Sequence, residues 1–190
     1  MSSKGNLIII SSPSGGGKDA IISALLKRFD CSAKLITTTT RTPRPDDIDG
    51  TTYYFINKST FEDKIKSHEI VEYNLYTGNY YGITKTELVN KLNNFQIVFT
   101  NIDIHGRRNL VDAGFKILSI FLLPENLEDL KLRISRRGGL SETEIDQRLE
   151  TAKEEITSAN EYDFQVVNKN GKMSETVDSV AKIITEHLST

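Results

Sequence analysis

The pattern of apolar and polar residues predicts short buried strands that alternate with helices. Residues 7–10 are four consecutive apolar side chains, typical of a strand that is covered on both faces in a parallel sheet. Three further strongly apolar or buried strands are predicted at 95–103, 115–123 and 164–167. Weaker strands, rich in β-branched or aromatic residues, are predicted at 34–40, 53–56 and 70–73.

Helices are predicted between these strands, and a turn is predicted at 78–82. The helical segments are 20–29, 59–68, a stretch ending at 92, 107–112, 126–135, a helix after Ser141, and 174–187. Ser59 with Glu62, and Ser141 with Glu144, have the spacing of capping boxes. Thr84 or Thr86 is expected to cap the helix that ends at 92.

Alternating strands and helices predict an α/β fold with a parallel central sheet. The chain of 190 residues is long enough for one domain with a substantial core. The region from about 36 to 90 contains more short strand signals than the rest of the chain. We therefore expect an insertion packed beside the main sheet.

Composition narrows the function classes. A net charge of −2 and an isoelectric point near 6.0 give no bulk attraction to nucleic acid or to membranes, so any anion must be bound by local clusters of Arg and Lys. The single Cys31 excludes an intrachain disulfide and a cysteine metal cage, and is typical of a reducing compartment. No apolar run approaches the ~18 residues of a membrane span, and no signal-peptide pattern is present. A cytoplasmic protein is predicted.

A glycine-rich loop follows the first strand and is the strongest chemical motif. Ser12, Pro13 and Ser14 interrupt the strand, three glycines follow at 15–17, and Lys18 precedes the first helix. Backbone N–H groups of such a loop, together with the helix N-terminus, bind phosphate oxygens. The pattern G-x-x-x-x-G-K-[ST] would place Gly at Ser12 and a hydroxyl at Asp19. The alternative is a glycine-rich turn with a surface lysine.

A second cluster of cationic and phenolic side chains suits a phosphate group. Arg41 and Arg44 lie three residues apart beside prolines that stiffen the loop, so their guanidinium groups can converge on one phosphate. Tyr53 and Tyr81 can donate hydroxyl hydrogens to the same group. The alternative is a solvated Arg-Pro loop with two half-buried tyrosines.

Four blocks of sequence, taken together, resemble guanylate kinase over essentially the whole chain. They are the loop at 11–18, the run at 38–44, the turn at 78–82 with Glu72 before it, and the arginine-rich segment at 132–149. The resemblance implies transfer of the γ-phosphoryl group of ATP to GMP, and with it dGMP, with Mg²⁺. It also implies a P-loop core (1–35, 91–127 and 158–190), a GMP-binding insertion (36–90) and a helical lid (128–157).

The resemblance assigns roles to residues of this chain. The implied ATP-binding residues are Ser12, Pro13, Ser14, Gly15, Gly16, Gly17, Lys18, Asp19 and Asn168. The implied GMP-binding residues are Thr37, Arg41, Arg44, Tyr53, Glu72, Tyr81 and Asp103. The implied catalytic residues are Lys18, Arg44, Arg137 and Arg148. The two lid arginines would stabilise charge that spreads over the transferred phosphoryl oxygens.

Glu72 is the residue whose chemistry specifies the base. A carboxylate can accept hydrogen bonds from guanine N1–H and from the 2-amino group together. Adenine has no 2-amino group and its N1 is an acceptor, so AMP should be rejected. The alternatives are an edge-strand surface charge for Glu72, a strand-end cap for Asp103, and a plain turn residue for Asn168.

Four positions depart from the family pattern, one of them being Ala20, the residue after Asp19. Asp19 replaces a metal-binding hydroxyl, Asn101 replaces an acidic residue, and Ile83 replaces a hydroxyl that would face guanine. A carboxylate about 5 Å from a phosphate charge is repelled by roughly 3 kcal/mol at an effective dielectric near 20. With Mg²⁺ between them the sign reverses, because carboxylates bind Mg²⁺ well. Asp19 is therefore predicted to be a metal ligand.

These departures leave two other functions open. One is a guanylate kinase-like module that has lost catalysis and binds a protein partner. The other is a P-loop kinase whose acceptor is a sugar phosphate. Retention of Lys18, Glu72 and the lid arginines favours the enzyme, with ATP and GMP as its partners and no nucleic acid, membrane or obligate protein partner.

Overall fold

The computed structural model of the chain describes residues 5–136 and 141–189. Its strands are β1 (Asn6–Ser11), β2 (Ser32–Lys34), β3 (Thr38–Thr39), β4 (Tyr54–Phe55), β5 (Ile70–Tyr76), β6 (Asn79–Thr84), β7 (Ile97–Thr100), β8 (Ile117–Pro124) and β9 (Phe164–Asn168). Its helices are α1 (Lys18–Arg28), α2 (Lys58–Lys66), α3 (Lys85–Asn94), α4 (Ile104–Asp112), α5 (Leu127–Ser135), α6 (Glu142–Thr157) and α7 (Met173–Leu188), with a 3-10 turn at Ser158–Glu161.

The main sheet has five parallel strands in the order β2-β7-β1-β8-β9, which confirms the predicted α/β class. β1 lies at the centre, and its side chains alternate between two cores. Ile8 and Ile10 pack with α1 and α7 on one face. Leu7 and Ile9 pack with α3 and α4 on the other face. This burial on both faces explains why residues 7–10 are uniformly apolar.

A second sheet has four strands in the order β4-β3-β6-β5 and lies within residues 38–84. It is mixed, because β3 pairs with β4 in parallel and with β6 antiparallel. Phe61 of α2 is fully buried beneath it and stacks on Tyr80, with ring centroids 5.0 Å apart. Phe61, Tyr73 and Tyr80 therefore pack against one another through their rings.

The predicted single strand at 34–40 is wrong, because the chain divides there between the two sheets. Ser32–Lys34 pairs with β7, and the Leu35 amide donates to the Phe99 carbonyl at 2.8 Å. Thr38 then pairs with Tyr54 and Gly82 in the second sheet. β-Branched composition favours an extended backbone but does not specify which sheet it joins.

Two further local predictions need correction. Helix α2 begins at Lys58 and not at Ser59. Its N-cap is Asn57, whose side chain accepts from the Thr60 amide at 2.8 Å. The turn at 78–82 is confined to Thr77 and Gly78, both with positive φ, and β6 starts directly afterwards. Thr84 and Ser141 are confirmed as helix caps.

Two compositional features can also be located. Cys31 is exposed just before β2. Within 5–136 and 141–189, no helix combines the length and the apolar character that crossing a membrane requires.

Candidate active site

The carboxyl ends of β1 and β7 bring the glycine-rich loop and residues 101–103 to the same edge of the main sheet. The two strands are parallel neighbours, with Ile9 opposite Thr100. The Ser11 hydroxyl at the end of β1 donates to the carbonyl of Ile102, which follows β7, and so links the segments that follow the two strands. Ligands of open α/β sheets bind at such an edge, so this is where a nucleotide site is expected.

The loop between β1 and α1 is tightly turned and leads directly into the N-terminus of α1. The Gly16 amide donates to the Pro13 carbonyl at 2.8 Å, which closes a tight turn. Gly17 has φ 88° and ends the loop directly before Lys18, the first residue of α1. A β-carbon at Gly16 would lie 2.5 Å from the Ser12 β-carbon, so a larger residue would open the loop. The loop and the N-terminus of α1 therefore form a candidate anion site.

Asn168, at the end of β9, is hydrogen-bonded to the glycine-rich loop. Its amide nitrogen donates to the Gly16 carbonyl at 2.8 Å, and its amide oxygen accepts from the Thr176 hydroxyl at 3.0 Å. Its main-chain carbonyl accepts from the Arg133 guanidinium at 2.9 Å. Asn168 is buried, so it is more than a turn residue. A contact with adenine stays a prediction.

Glu155 of α6 reaches the same loop, and the sequence interpretation missed it. Its carboxylate accepts from the Ser14 amide at 3.2 Å. Burial raises the pKa of Glu155, while the Ser14 hydrogen bond and the Lys18 charge act in the opposite direction. The available signal was its position on α6, three residues after the buried Ala152 and therefore on the same helix face.

Three of the four predicted phosphate-binding side chains lie together. The Arg41 guanidinium lies 5.3 Å from the centroid of the Tyr53 ring, and the Tyr53 and Tyr81 ring centroids are 6.0 Å apart. The Asp47 carboxylate accepts from Arg41 at 2.7 Å and raises the pKa of the guanidinium. Asp47 also accepts from the Arg44 amide at 2.7 Å, whereas the Arg44 side chain is exposed. Asp47 thus shapes the arginine loop.

Glu72 on β5 is buried, with only 5% of its surface exposed, which excludes a surface charge. Among the described residues, no side chain or amide hydrogen-bonds to its carboxyl group. Burial, and secondarily the Asp103 charge, raise the pKa of Glu72 to about 8. Gly106 of α4 makes room for it, because a β-carbon there would lie 2.7 Å from the Glu72 Oε1 atom.

Asp103 lies beside Glu72 and has two structural contacts. It caps α4 by accepting from the Gly106 amide at 2.9 Å, as the strand-end alternative anticipated. Its other oxygen accepts from the Asn74 side chain on β5 at 2.8 Å. These two contacts hold the Asp103 carboxylate next to the Glu72 carboxyl group. Two neighbouring acidic groups can accept hydrogen bonds from adjacent donors on a planar base.

Ile83 of β6 lies opposite Glu72 of β5, and Thr37 directly precedes β3. Thr37 is half-buried, and its carbonyl accepts from the Tyr54 amide at 2.9 Å. Ile83 is fully buried in the core that contains Leu88. The Thr84 hydroxyl is used as the α3 cap, accepting from the Glu87 amide at 3.2 Å.

Asp19 on α1 lies at the open end of the loop. The Asn101 side chain donates to its carboxylate at 2.9 Å, and the Lys34 ammonium lies 3.2 Å from the same oxygen. In the part of the chain that the structure describes, no group of three or more His, Cys, Asp or Glu residues could hold a metal ion.

Only part of the predicted lid can be located. Arg137 lies outside the described residues. Arg148 is half-buried on α6, which packs against α5 through Leu130, Ile134 and Ala152. Arg133 of α5 donates to the main-chain carbonyl of Asn168 and so links α5 to the end of β9.

Comparison with known proteins gives one consistent result. The family model described as guanylate kinase matches residues 4–187. A guanylate kinase of Nostoc sp. is 40% identical over 164 residues, which is 86% of this chain and 82% of the relative. A guanylate kinase of Rickettsia bellii is 39% identical over 182 residues, 95% of this chain and 94% of the relative. The crystal structure of guanylate kinase from Anaplasma phagocytophilum superposes with a TM-score of 0.76 at 26% identity, covering 100% of this chain and 89% of that one.

Replacing Glu72 by Gln is expected to change how stability depends on pH. The pKa of Glu72 is about 8 in the folded protein against an ordinary 4.5. The folded protein therefore keeps a proton that the unfolded chain releases, and stability falls as pH rises between these values. Glu72→Gln should raise the free energy of unfolding by on the order of 2–4 kcal/mol at about pH 9, with little effect near pH 4.5.

Urea denaturation at the two pH values measures this difference. Glu128→Gln is the matched control, because Glu128 is an exposed glutamate on α5. A Glu72→Gln effect of the same size at both pH values would contradict the raised pKa.

Gly106→Ala is expected to displace the Glu72 carboxyl group. The new β-carbon would lie 2.7 Å from Oε1, closer than any ordinary contact, so the side chain must move. A displacement of about 1 Å at such a site reduces recognition by roughly 10- to 100-fold. Calorimetry should therefore show weaker GMP binding and unchanged ADP binding. An equal loss for both nucleotides would indicate general damage to the fold.

Proposed function

This chain belongs to the guanylate kinase family, and we propose that it transfers the γ-phosphoryl group of ATP to the phosphate of GMP, or of dGMP, giving ADP and GDP or dGDP. The observation that carries the substrate assignment is the buried Glu72 carboxyl group beside Asp103. The remaining residues of the site bind the phosphate of GMP and the phosphates of ATP.

Guanine is recognised by the two acidic groups. The Glu72 carboxylate accepts from N1–H and from the 2-amino group, which together replace the hydrogen bonds that its buried position lacks. Asp103 accepts at the same edge of the base, and Thr37 lies near the opposite, carbonyl edge. Adenine would place an acceptor against Glu72 and leave the carboxylate without a partner, which is the arrangement that gives strong discrimination.

The GMP phosphate is held by the arginine loop and the two tyrosines. Arg41 is already placed over Tyr53 by Asp47, so little side-chain entropy is lost when it binds phosphate. Tyr53 and Tyr81 donate their hydroxyl hydrogens to the same group. Arg44, whose side chain is exposed, turns inward to bind the phosphate and to neutralise charge during transfer.

The ATP phosphates are held by main-chain N–H groups of the loop at 12–17 and by Lys18. Pro13 has no N–H to donate, and the Ser14 amide must leave Glu155 before it can bind a phosphate. Asn168 keeps the loop in its binding conformation through Gly16. Arg148 and Arg137 approach from the lid segment and stabilise negative charge on the transferred phosphoryl group. Because these cations are needed most when that charge spreads over the equatorial oxygens, they act on the transition state more than on bound ATP.

The residues at the loop fit Mg²⁺ bound with ATP. A carboxylate and an amide, Asp19 and Asn101, lie together at the phosphate end of α1, and Mg²⁺ prefers one or two such oxygen ligands with the rest from phosphates and water. Mg²⁺ bound there would neutralise charge on the phosphates during transfer. Asp19 would hold it, and Asn101 would orient the Asp19 carboxylate.

An acceptor panel tests the proposed reaction. ADP release from ATP is measured with GMP, dGMP, AMP and ribose 5-phosphate. We expect turnover with GMP and dGMP, at least ~10³-fold lower kcat/KM with AMP, and none with the sugar phosphate. Glu72→Gln should lower kcat/KM for GMP by roughly 100-fold, since two hydrogen bonds to a charged acceptor are weakened. Turnover with ribose 5-phosphate in preference to GMP would contradict the proposal. So would the absence of turnover with every acceptor in the panel.

A further inference from the structure

Three side chains from separate parts of the chain meet beside the phosphate loop. Asp19 belongs to the first turn of α1, Lys34 to the end of β2, and Asn101 follows β7. Asn101 donates to Asp19 Oδ1 at 2.9 Å, and the Lys34 ammonium lies 3.2 Å from that same atom. One carboxylate oxygen therefore contacts an amide and an ammonium at once.

In P-loop proteins generally, the residue after the loop lysine carries a hydroxyl, and an acidic residue follows the neighbouring strand. Here the residue after Lys18 is acidic, and the residue following β7 is an amide. The number of carboxylates is thus the same, but the carboxylate has moved across the loop. The hydrogen bond between positions 19 and 101 shows that the two replacements face each other.

We propose that Asp19 and Asn101 are a reciprocal exchange of the metal-binding carboxylate, and that Lys34 is a positioning residue which neutralises Asp19 until a cation binds. This inference rests on the proposed function for the identity of the nucleotide, ATP or ADP. It explains why the two departures occur together, since neither suits the site without the other.

The chemistry of the pair supports the exchange. Two carboxylates at 2.9 Å would repel each other and one would tend to remain protonated, whereas an amide donates to a carboxylate and holds it in place. Asp19 alone would also repel the phosphates of the nucleotide. Lys34 offsets that repulsion in the protein without a cation, and it is flexible enough to move away, because its side chain is 38% exposed and that of Asp19 is 60% exposed.

Calorimetric ADP binding to a single and a double variant tests the exchange without measuring activity. The quantity compared is the ratio of ADP affinity with Mg²⁺ to ADP affinity in EDTA. Asp19→Ser should lower this ratio about tenfold, the value of one interaction with a charged group. Asp19→Ser with Asn101→Asp restores the general P-loop arrangement and should return the ratio to within about twofold of the parent.

The second measurement concerns Lys34. Lys34→Met should weaken ADP binding in EDTA by about two- to fivefold, the size expected for a solvent-exposed ion pair, and should leave binding with Mg²⁺ unchanged. Lys27→Met is the matched control, because Lys27 is an exposed lysine in the last turn of α1. It should change neither affinity. Thermal unfolding of each variant confirms that it is folded.

The results separate this inference from the proposed function. If GMP is phosphorylated but Asp19→Ser keeps the parent ratio, or the double variant is no better than the single one, the exchange is wrong and the function stands. If the single and double variants bind ADP as expected but GMP is not phosphorylated, the exchange stands and the acceptor assignment fails. If the Lys34→Met variant binds ADP in EDTA with the affinity of the parent protein, Lys34 does not neutralise Asp19 and that part of the proposal is wrong.

Discussion

The buried carboxyl group of Glu72 is the constraint on which the arrangement of the site depends. An ionised carboxylate without hydrogen bonds is unfavourable inside a protein, so burial raises its pKa to about 8. The fold nevertheless keeps it there. Gly106 supplies the space, and the pairing of β5 with β6 fixes the backbone on which Glu72 stands. Stability is given up at a position where a ligand with two adjacent donors can restore it.

Polar contacts between separate regions of the chain also shape the rest of the site. Asn74 of the second sheet donates to Asp103 of the main core, and Glu155 of the lid segment accepts from the Ser14 amide of the phosphate loop. Each of these contacts joins two regions that are far apart in the sequence. Polar contacts of this kind are directional, and they can be exchanged for hydrogen bonds to water or to a ligand.

Local signals in the sequence predicted the elements that local physics determines. The apolar run of β1, the loop before Lys18 and the Ser141 cap depend on neighbouring residues, and the structure confirms them. The division of 34–40 between two sheets depends on partners far along the chain, so propensity could not place it. Contacts made by Glu155 and Lys34 were missed for the same reason, because their partners lie 141 and 15 positions away.

The most direct test of the central claim is whether GMP binding releases a proton from Glu72. With a pKa of about 8, the free protein is largely protonated there at about pH 7.5, while the complex requires the carboxylate, so roughly three quarters of a proton should be released per GMP. Calorimetry in two buffers with different ionisation enthalpies measures this number. The release should fall to roughly a quarter of a proton near pH 8.5, where most of the free carboxyl groups are already ionised and guanine N1 still carries its hydrogen. Binding with no proton release at either pH would contradict the account.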